Sequence, residues 1–182
     1  MKVVVGVTGA SGVQYAHALL RNLESAHVDL VISEDAKKVI AHETDVPLPA
    51  FEKLARATYA NEDVAAPPAS GSYLFDAMVI IPCSMGTLGK IAWGISDNLI
   101  TRAAAVCLKE RRKLIIVPRE TPLAASHLEN MLRLTNQGAV ILPAMPGFYH
   151  APKEIEDLVN FVVGKVLDQL GVEHALFRRW RE

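Results

Sequence analysis

The sequence predicts an α/β fold on a mainly parallel sheet, and three observations predict it. Apolar, β-branched runs at residues 2–7, 28–33, 77–81 and 113–117 alternate with helical patterns. The run at 77–81 is continuously apolar, as in a strand covered on both faces. Two of the runs break into small, glycine-bearing turns that lead straight into helices. In a parallel sheet such turns converge on one crevice at the carboxyl ends of the strands.

The first strand ends in Thr8-Gly9-Ala10-Ser11-Gly12, and a helix follows from Val13 to Leu23. The glycines let the backbone approach a ligand, and the free N–H groups of the helix's first turn favour an anion. Ser11 either caps that helix or donates to a phosphate. The second strand ends in Ser33, where a strand's carboxyl end faces the crevice. Glu34 next to it is either a ribose contact or an ordinary first-turn acid. The helix it opens runs out at His42-Glu43-Thr44, and Pro47 and Pro49 stop any continuation. By composition Glu43 is an exposed carboxylate. Residues 51–73 are the least regular part, with loop composition at 65–72.

The strand at 77–81 runs into Pro82-Cys83-Ser84-Met85-Gly86-Thr87, a second strand-to-helix junction of small hydroxyl and glycine residues. Cys83 there is a small buried residue or a nucleophile without an identifiable base. One or two helices fill 91–113, broken around Gly94–Asn98, and Arg102 and Lys109 share a helical face. After the strand at 113–117, Arg119 and Glu120 stand at a carboxyl end: an exposed ion pair or a pair facing the ligand. Ser126-His127-Leu128-Glu129 reads as a capping box. The last strand, 139–142, leads to a rigid Pro143-to-Gly147 turn that presents Phe148, Tyr149 and His150 near the crevice. The final helix, from Pro152 to about Leu170, has a stripe of Ile155, Leu158, Val159, Val162, Val166 and Leu170, with Lys165 off it. Aromatic residues in the tail 174–180 suit a subunit contact.

Composition narrows the class. A chain of 182 residues without linker or repeat suits one domain. A net charge of −1 argues against a nucleic-acid binder, which wants a basic face. No apolar run approaches the ~20 residues of a membrane span, and the opening residues do not resemble a signal peptide. Two cysteines make no disulfide framework, which suits a reducing cytoplasm. None of the six histidines has metal-ligand spacing with another ligand.

Taken together, Thr8-Gly9-Ala10-Ser11-Gly12, Glu43-Thr44-Asp45, Pro82-Cys83-Ser84-Met85-Gly86-Thr87-Leu88, Arg102-Ala103-Ala104, Leu108-Lys109-Glu110-Arg111-Arg112, Pro118-Arg119-Glu120-Thr121-Pro122 and Gly147-Phe148-Tyr149-His150 resemble the UbiX-type flavin prenyltransferases. The blocks cover nearly the whole chain in family order. The resemblance implies a three-layer Rossmann-like flavoprotein fold over residues 1–182. It implies transfer of the dimethylallyl group of dimethylallyl monophosphate to N5 and C6 of reduced FMN, without a metal. The prenylated FMN then serves a partner UbiD-type decarboxylase. By position, Gly9, Ala10, Ser11, Ser33, Ser84, Met85, Gly86, Thr87, Arg102 and Arg119 would hold FMN. Lys109, Arg119, Tyr149 and Lys165 would hold the prenyl phosphate. Glu43, Glu120 and Ser11 would act at the reacting groups, with Glu120 donating a proton to the departing phosphate. Lys165 stands where arginine is frequent, which keeps the charge and loses the bidentate fork. The family implies a cytoplasmic homododecamer.

Three other classes compete. A related flavin-dependent decarboxylase of cysteine-like substrates places an early His base, an Asn-bearing loop at Ala69-Ser70-Gly71-Ser72 and a Met–Asn clamp at Met145-Pro146-Gly147, none of which this chain matches. A nicotinamide dehydrogenase would use the glycine turn but lacks a following Tyr-x-x-x-Lys pair. A non-catalytic FMN-binding protein would have no use for Arg119–Glu120 and Tyr149–Lys165.

Overall fold

A computed structural model describes residues 1–181. Six parallel strands are ordered β3-β2-β1-β4-β5-β6. In chain order the elements are β1 (Lys2–Val7), α1 (Val13–Arg21), β2 (His27–Ile32), α2 (Glu34–Glu43), α3 (Leu48–Glu52), β3 (Ala57–Ala60), β4 (Ala77–Cys83), α4 (Met85–Ala92), α5 (Leu99–Lys109), β5 (Lys113–Pro118), α6 (Ala125–Asn136), β6 (Val140–Ile141) and α7 (Ile155–Leu170).

Strand alternation divides the core into two layers. Val3, Val5 and Val7 of β1 pack with Leu19, Leu20, Phe51, Val163 and Leu167 beneath α1, α2, α3 and α7. Val4, Met78 and Ile80 face the other way, onto Leu88, Leu99, Ile100 and Leu134 of α4, α5 and α6. The crossover helix after β1 therefore lies on one face and the helices after β4 on the other, although β1 and β4 are neighbours. That pair is the topological switch point, where the helices leave a crevice between them.

Several local expectations need correction. Pro47 and Pro49 do end the preceding helix, yet they also begin α3, because a first-turn proline gives up an N–H that has no helical partner. The irregular stretch contains edge strand β3, paired with β2 from Asp29↔Ala57 to Ile32↔Ala60. Its four residues alternate half-buried and exposed and include two alanines, so the sequence gives it little apolar signal. Ser126 does not cap α6. Ala124 precedes that helix, and its N–H donates to Nδ1 of His127 at 3.2 Å. Asn98 and Thr101 instead form a reciprocal capping box at α5, where the break after Gly94 allows the turn. On α7, Ile155 is 79% exposed and burial centres on Val162, Val163, Val166 and Leu167. A helical period sets the buried side of α7 but not where along it the neighbouring layer begins.

The connection from β3 to β4 is anchored by long side chains. Arg112 donates to the carbonyls of Gly71 (2.6 Å) and Tyr73 (2.9 Å), and Arg102 Nε donates to that of Ala69 (3.0 Å). The Tyr73 hydroxyl donates to the buried Asp29 carboxylate at 2.7 Å. At the other end of the chain, Asp168 of α7 binds Arg179 (2.8 and 3.2 Å), His174 (3.1 Å) and, more loosely, Lys165 (3.5 Å). Arg179 above all, with His174, holds its carboxyl down at about 2. Phe177 packs on Phe161 and against Gly164, where a Cβ would come within 2.5 Å of its ring.

Two stability predictions follow from this packing. Phe51 is fully buried under His17, so Phe51→Ala is expected to lower the unfolding free energy by about 3–5 kcal/mol in urea titrations. Asp168 has a folded pKa below its unfolded value, so its stabilisation is present above pH 4 and is lost as pH falls toward about 2. Thermal melts between pH 5 and pH 2 should show Asp168→Asn less stable at pH 5 and the gap to wild type closing at the acid end.

Candidate functional site

Three helices begin at the carboxyl edge of three adjacent strands, β2, β1 and β4. Ser33 caps α2 by accepting the Ala36 N–H at 3.2 Å, and Ser84 caps α4 by accepting the Thr87 N–H at 3.3 Å. A capping serine is engaged through its oxygen, so its proton remains to donate. For Ser84 that proton goes to Thr87 Oγ1 at 3.1 Å, which passes the outward donor to Thr87. At α1 the cap is Gly12, with φ 99° and no side-chain cap bond, so Ser11 is not the cap and its half-buried hydroxyl is left for other partners.

The glycines differ in what requires them. Gly12 needs its positive φ. A Cβ on Gly9 would meet Asp35 Cβ at 2.6 Å, so packing against α2 demands that glycine whether or not a ligand approaches. A Cβ on Gly86 would meet no protein atom within 4 Å, so the first turn of α4 is open on its outer side. Ala10 and Met85 are buried and Cys83 is fully buried within the core. Cys83 is closed off from solvent and burial pushes its thiol up, which fits packing and not a nucleophile.

Glu43 is not an exposed carboxylate. At the last residue of α2 it accepts the Gly12 N–H at 2.8 Å, and its carbonyl accepts from Gln14 Nε2 at 2.9 Å. It therefore sits against the positive end of α1. On the other side of the crevice, the Arg119 N–H donates to the Cys83 carbonyl at 3.3 Å. The Arg119 charge is felt by Tyr15 in α1, whose phenol burial holds neutral. Glu120 accepts the Thr121 N–H at 3.1 Å, and no ion pair to Arg119 is present among the described residues. Both side chains are exposed and line a cavity of about 140 Å³ whose far wall is Leu123, Met131, Pro143, Ala144 and Met145.

The remaining candidates are elsewhere. Helix α5 starts at the carboxyl edge, where the Leu99 N–H bonds Asn61 O, and ends at the opposite edge, where Lys113 opens β5. Lys109 is thus roughly 15 Å along the helix axis from its start, exposed and paired with Glu110. Arg102 is exposed on the flank beside Ala69. Lys165 is one turn from the end of α7, whose Gln169 carbonyl accepts from Lys113 at that same far edge. Tyr149 does not close over the crevice. Its ring meets Phe161 of α7 at 5.6 Å and Trp180 of the tail at 5.4 Å, edge-on in both cases. One chain therefore gathers Ser11, Ser33, residues 84–87, Glu43, Arg119 and Glu120, while Arg102 with Lys109, and Tyr149 with Lys165, occupy two other faces.

Sequence reading missed Thr8. Its hydroxyl donates to the Pro82 carbonyl (2.9 Å) and accepts the Ser84 N–H (2.7 Å), joining turns 74 and more residues apart. The only signal was a hydroxyl residue directly after an apolar strand.

The donor set fits a phosphate monoester: two helix N-termini, hydroxyls and a guanidinium, with main chain open at Gly86. Among the described residues no group of three His, Cys, Asp or Glu side chains is arranged to hold a metal ion, and no helix is long and apolar enough to cross a membrane. A family model described as Flavoprotein matches residues 1–167. The chain is 54% identical over 181 residues to the flavin prenyltransferase UbiX of Methanocaldococcus jannaschii, covering 99% of this chain and 98% of that one. It superposes with TM-score 0.98 on the dodecameric FMN-dependent UbiX-like decarboxylase of Escherichia coli O157:H7, at 46% identity and full coverage of both chains. With AnUbiX (PadA1), solved in complex with FMN and dimethylallyl pyrophosphate, the TM-score is 0.97 at 43% identity, covering 100% of this chain and 97% of that one. Sequence, fold and donor set agree, and the chain belongs to the UbiX-type flavin prenyltransferases of the flavoprotein family.

Proposed function

We propose that this chain, acting as one flavoprotein unit over residues 1–182, joins the dimethylallyl group of dimethylallyl monophosphate to reduced FMN at N5 and C6. The observation that carries the reading is the pair of helix N-termini, α1 and α4, on either side of the switch point, with Arg119 and Glu120 just past the end of neighbouring β5. The FMN-dependent E. coli relative and the FMN complex of AnUbiX support it.

In this reading Gly9, Ala10, Ser11, Ser33, Ser84, Met85, Gly86, Thr87 and Arg119 hold FMN, chiefly by main-chain N–H groups and hydroxyls around its phosphate. Reduced FMN supplies an electron-rich ring as the acceptor. The prenyl phosphate carries roughly −1.5 to −2 charges near neutral pH, and Arg119 and the Ser11 hydroxyl offset that charge as it leaves the allylic carbon. Glu120 donates the proton that the departing phosphate takes up. Glu43, fixed by the Gly12 N–H, provides the second carboxylate beside the reacting groups. The apolar wall of Leu123, Met131 and Met145 suits a five-carbon chain.

Lys109 and Lys165 stand toward the far edge of the sheet, Arg102 is exposed on the α5 flank and Tyr149 packs on α7 and the tail, so we assign all four to the crevice of neighbouring copies. Arg102 then helps hold a neighbour's FMN, and Lys109, Tyr149 and Lys165 a neighbour's prenyl phosphate. The dodecameric E. coli relative supports that assignment, with a homododecamer as the proposed assembly. The cytoplasm is the proposed compartment and a UbiD-type decarboxylase the proposed recipient of the product.

Anaerobic incubation with reduced FMN and dimethylallyl monophosphate, followed by mass spectrometry of the extracted flavin, tests the reading. The expected product is FMN heavier by one five-carbon prenyl unit. Glu120→Gln should slow its formation by about 10²–10⁴-fold while still binding FMN. Unmodified FMN from the wild-type protein would contradict the transferase reading.

A further inference from the structure

We infer that Thr8 is a positioning residue that sets the spacing of the two phosphate-binding turns, an inference that rests on the FMN reading above. The ladder between β1 and β4 ends at the pair Gly6↔Ile80, and β4 is irregular between Ile80 and Cys83. Past that point nothing in the regular sheet holds the two turns together, and their helices diverge to opposite faces. Pro82, having no N–H, gives β4 no donor there. Thr8 fills the gap with three bonds. Its N–H donates to the Pro82 carbonyl at 3.2 Å, its hydroxyl donates to the same carbonyl at 2.9 Å, and its Oγ1 accepts the Ser84 N–H at 2.7 Å.

The chemistry at this position suits a hydroxyl, whose single oxygen donates to the Pro82 carbonyl and accepts the Ser84 N–H, in a side chain only 2% exposed. Ser84 is also the cap of α4. Fixing its N–H thus fixes the first turn of α4 relative to the Thr8–Gly12 turn, and one phosphate can meet both only at one separation. A β-branched side chain has few rotamers to choose from, which keeps the hydroxyl aimed.

The test compares Thr8→Val, which keeps the shape and removes the hydroxyl, with Thr8→Ser, which keeps the hydroxyl. FMN dissociation constants come from quenching of flavin fluorescence, and circular dichroism melts report folding. The expected result is an FMN Kd about tenfold or more higher in Thr8→Val, a Kd close to wild type in Thr8→Ser, and kcat within about twofold of wild type in Thr8→Val at saturating FMN. If Thr8→Val does not fold, Thr8→Ala carries the same comparison, since it removes the hydroxyl without changing the backbone. Hydroxyl-free variants that fold and bind FMN as wild type does would overturn the inference, and so would a Thr8→Ser variant as weak as Thr8→Val. A wild-type protein that takes up no FMN would overturn the FMN reading itself, and this inference with it.

Discussion

Neighbouring strands β1 and β4 send their helices to opposite faces of one sheet, and the geometry of the site depends on that divergence. It opens the crevice and points two helix N-termini toward it. It also leaves both turns without ladder bonds at the point where a ligand would need them fixed. Short tethers make up the loss: Thr8 between the two turns, Glu43 on the Gly12 N–H, and the Arg119 N–H on the Cys83 carbonyl. Each tether joins residues distant in the chain, so the crevice is held by the tertiary fold and not by any one loop.

Much of this was readable in the sequence because the signals were local. Strand runs, the glycine turns and the break after Gly94 each declare themselves within a few residues, and five of the six strands among the described residues fall on predicted runs. Ser33, residues 84–87, Arg119 and Glu120 stand out because they follow the carboxyl ends of strands, whereas Glu43 stands out only through the family resemblance. What was not readable depended on partners far along the chain. Gly9 is required by Asp35, which only packing reveals. Ser11 gives up the cap to Gly12 because the turn is left-handed there. Strand β3 has too few apolar residues to stand out, and it forms because β2 offers an edge.

The placement of the cationic residues is the larger lesson. Lys109 and Lys165 look like members of one site when residues are taken by motif, yet the directions of α5 and α7 carry both to the far edge of the sheet. A crevice with one guanidinium is adequate for a flavin phosphate and poor for a second phosphate leaving an allylic carbon. Under the assignment proposed above, cations lent between copies would make up that shortage, and each copy would need to assemble before it could act. Exposed Leu128, Leu132, Met145 and Phe148 suit the same conclusion, being apolar surface of the kind that subunits cover.

Subunit complementation tests this sharing most directly. Glu120→Gln and Lys109→Ala, each of low activity alone, would be dissociated, mixed in equal amounts and reassembled, and prenylated FMN measured. If Glu120 and Lys109 serve one site from different copies, about a quarter of sites receive both intact residues by random mixing, and activity should recover toward that fraction. Activity in the mixture no higher than the average of the two variants alone would show that a single copy supplies both, and would contradict the account.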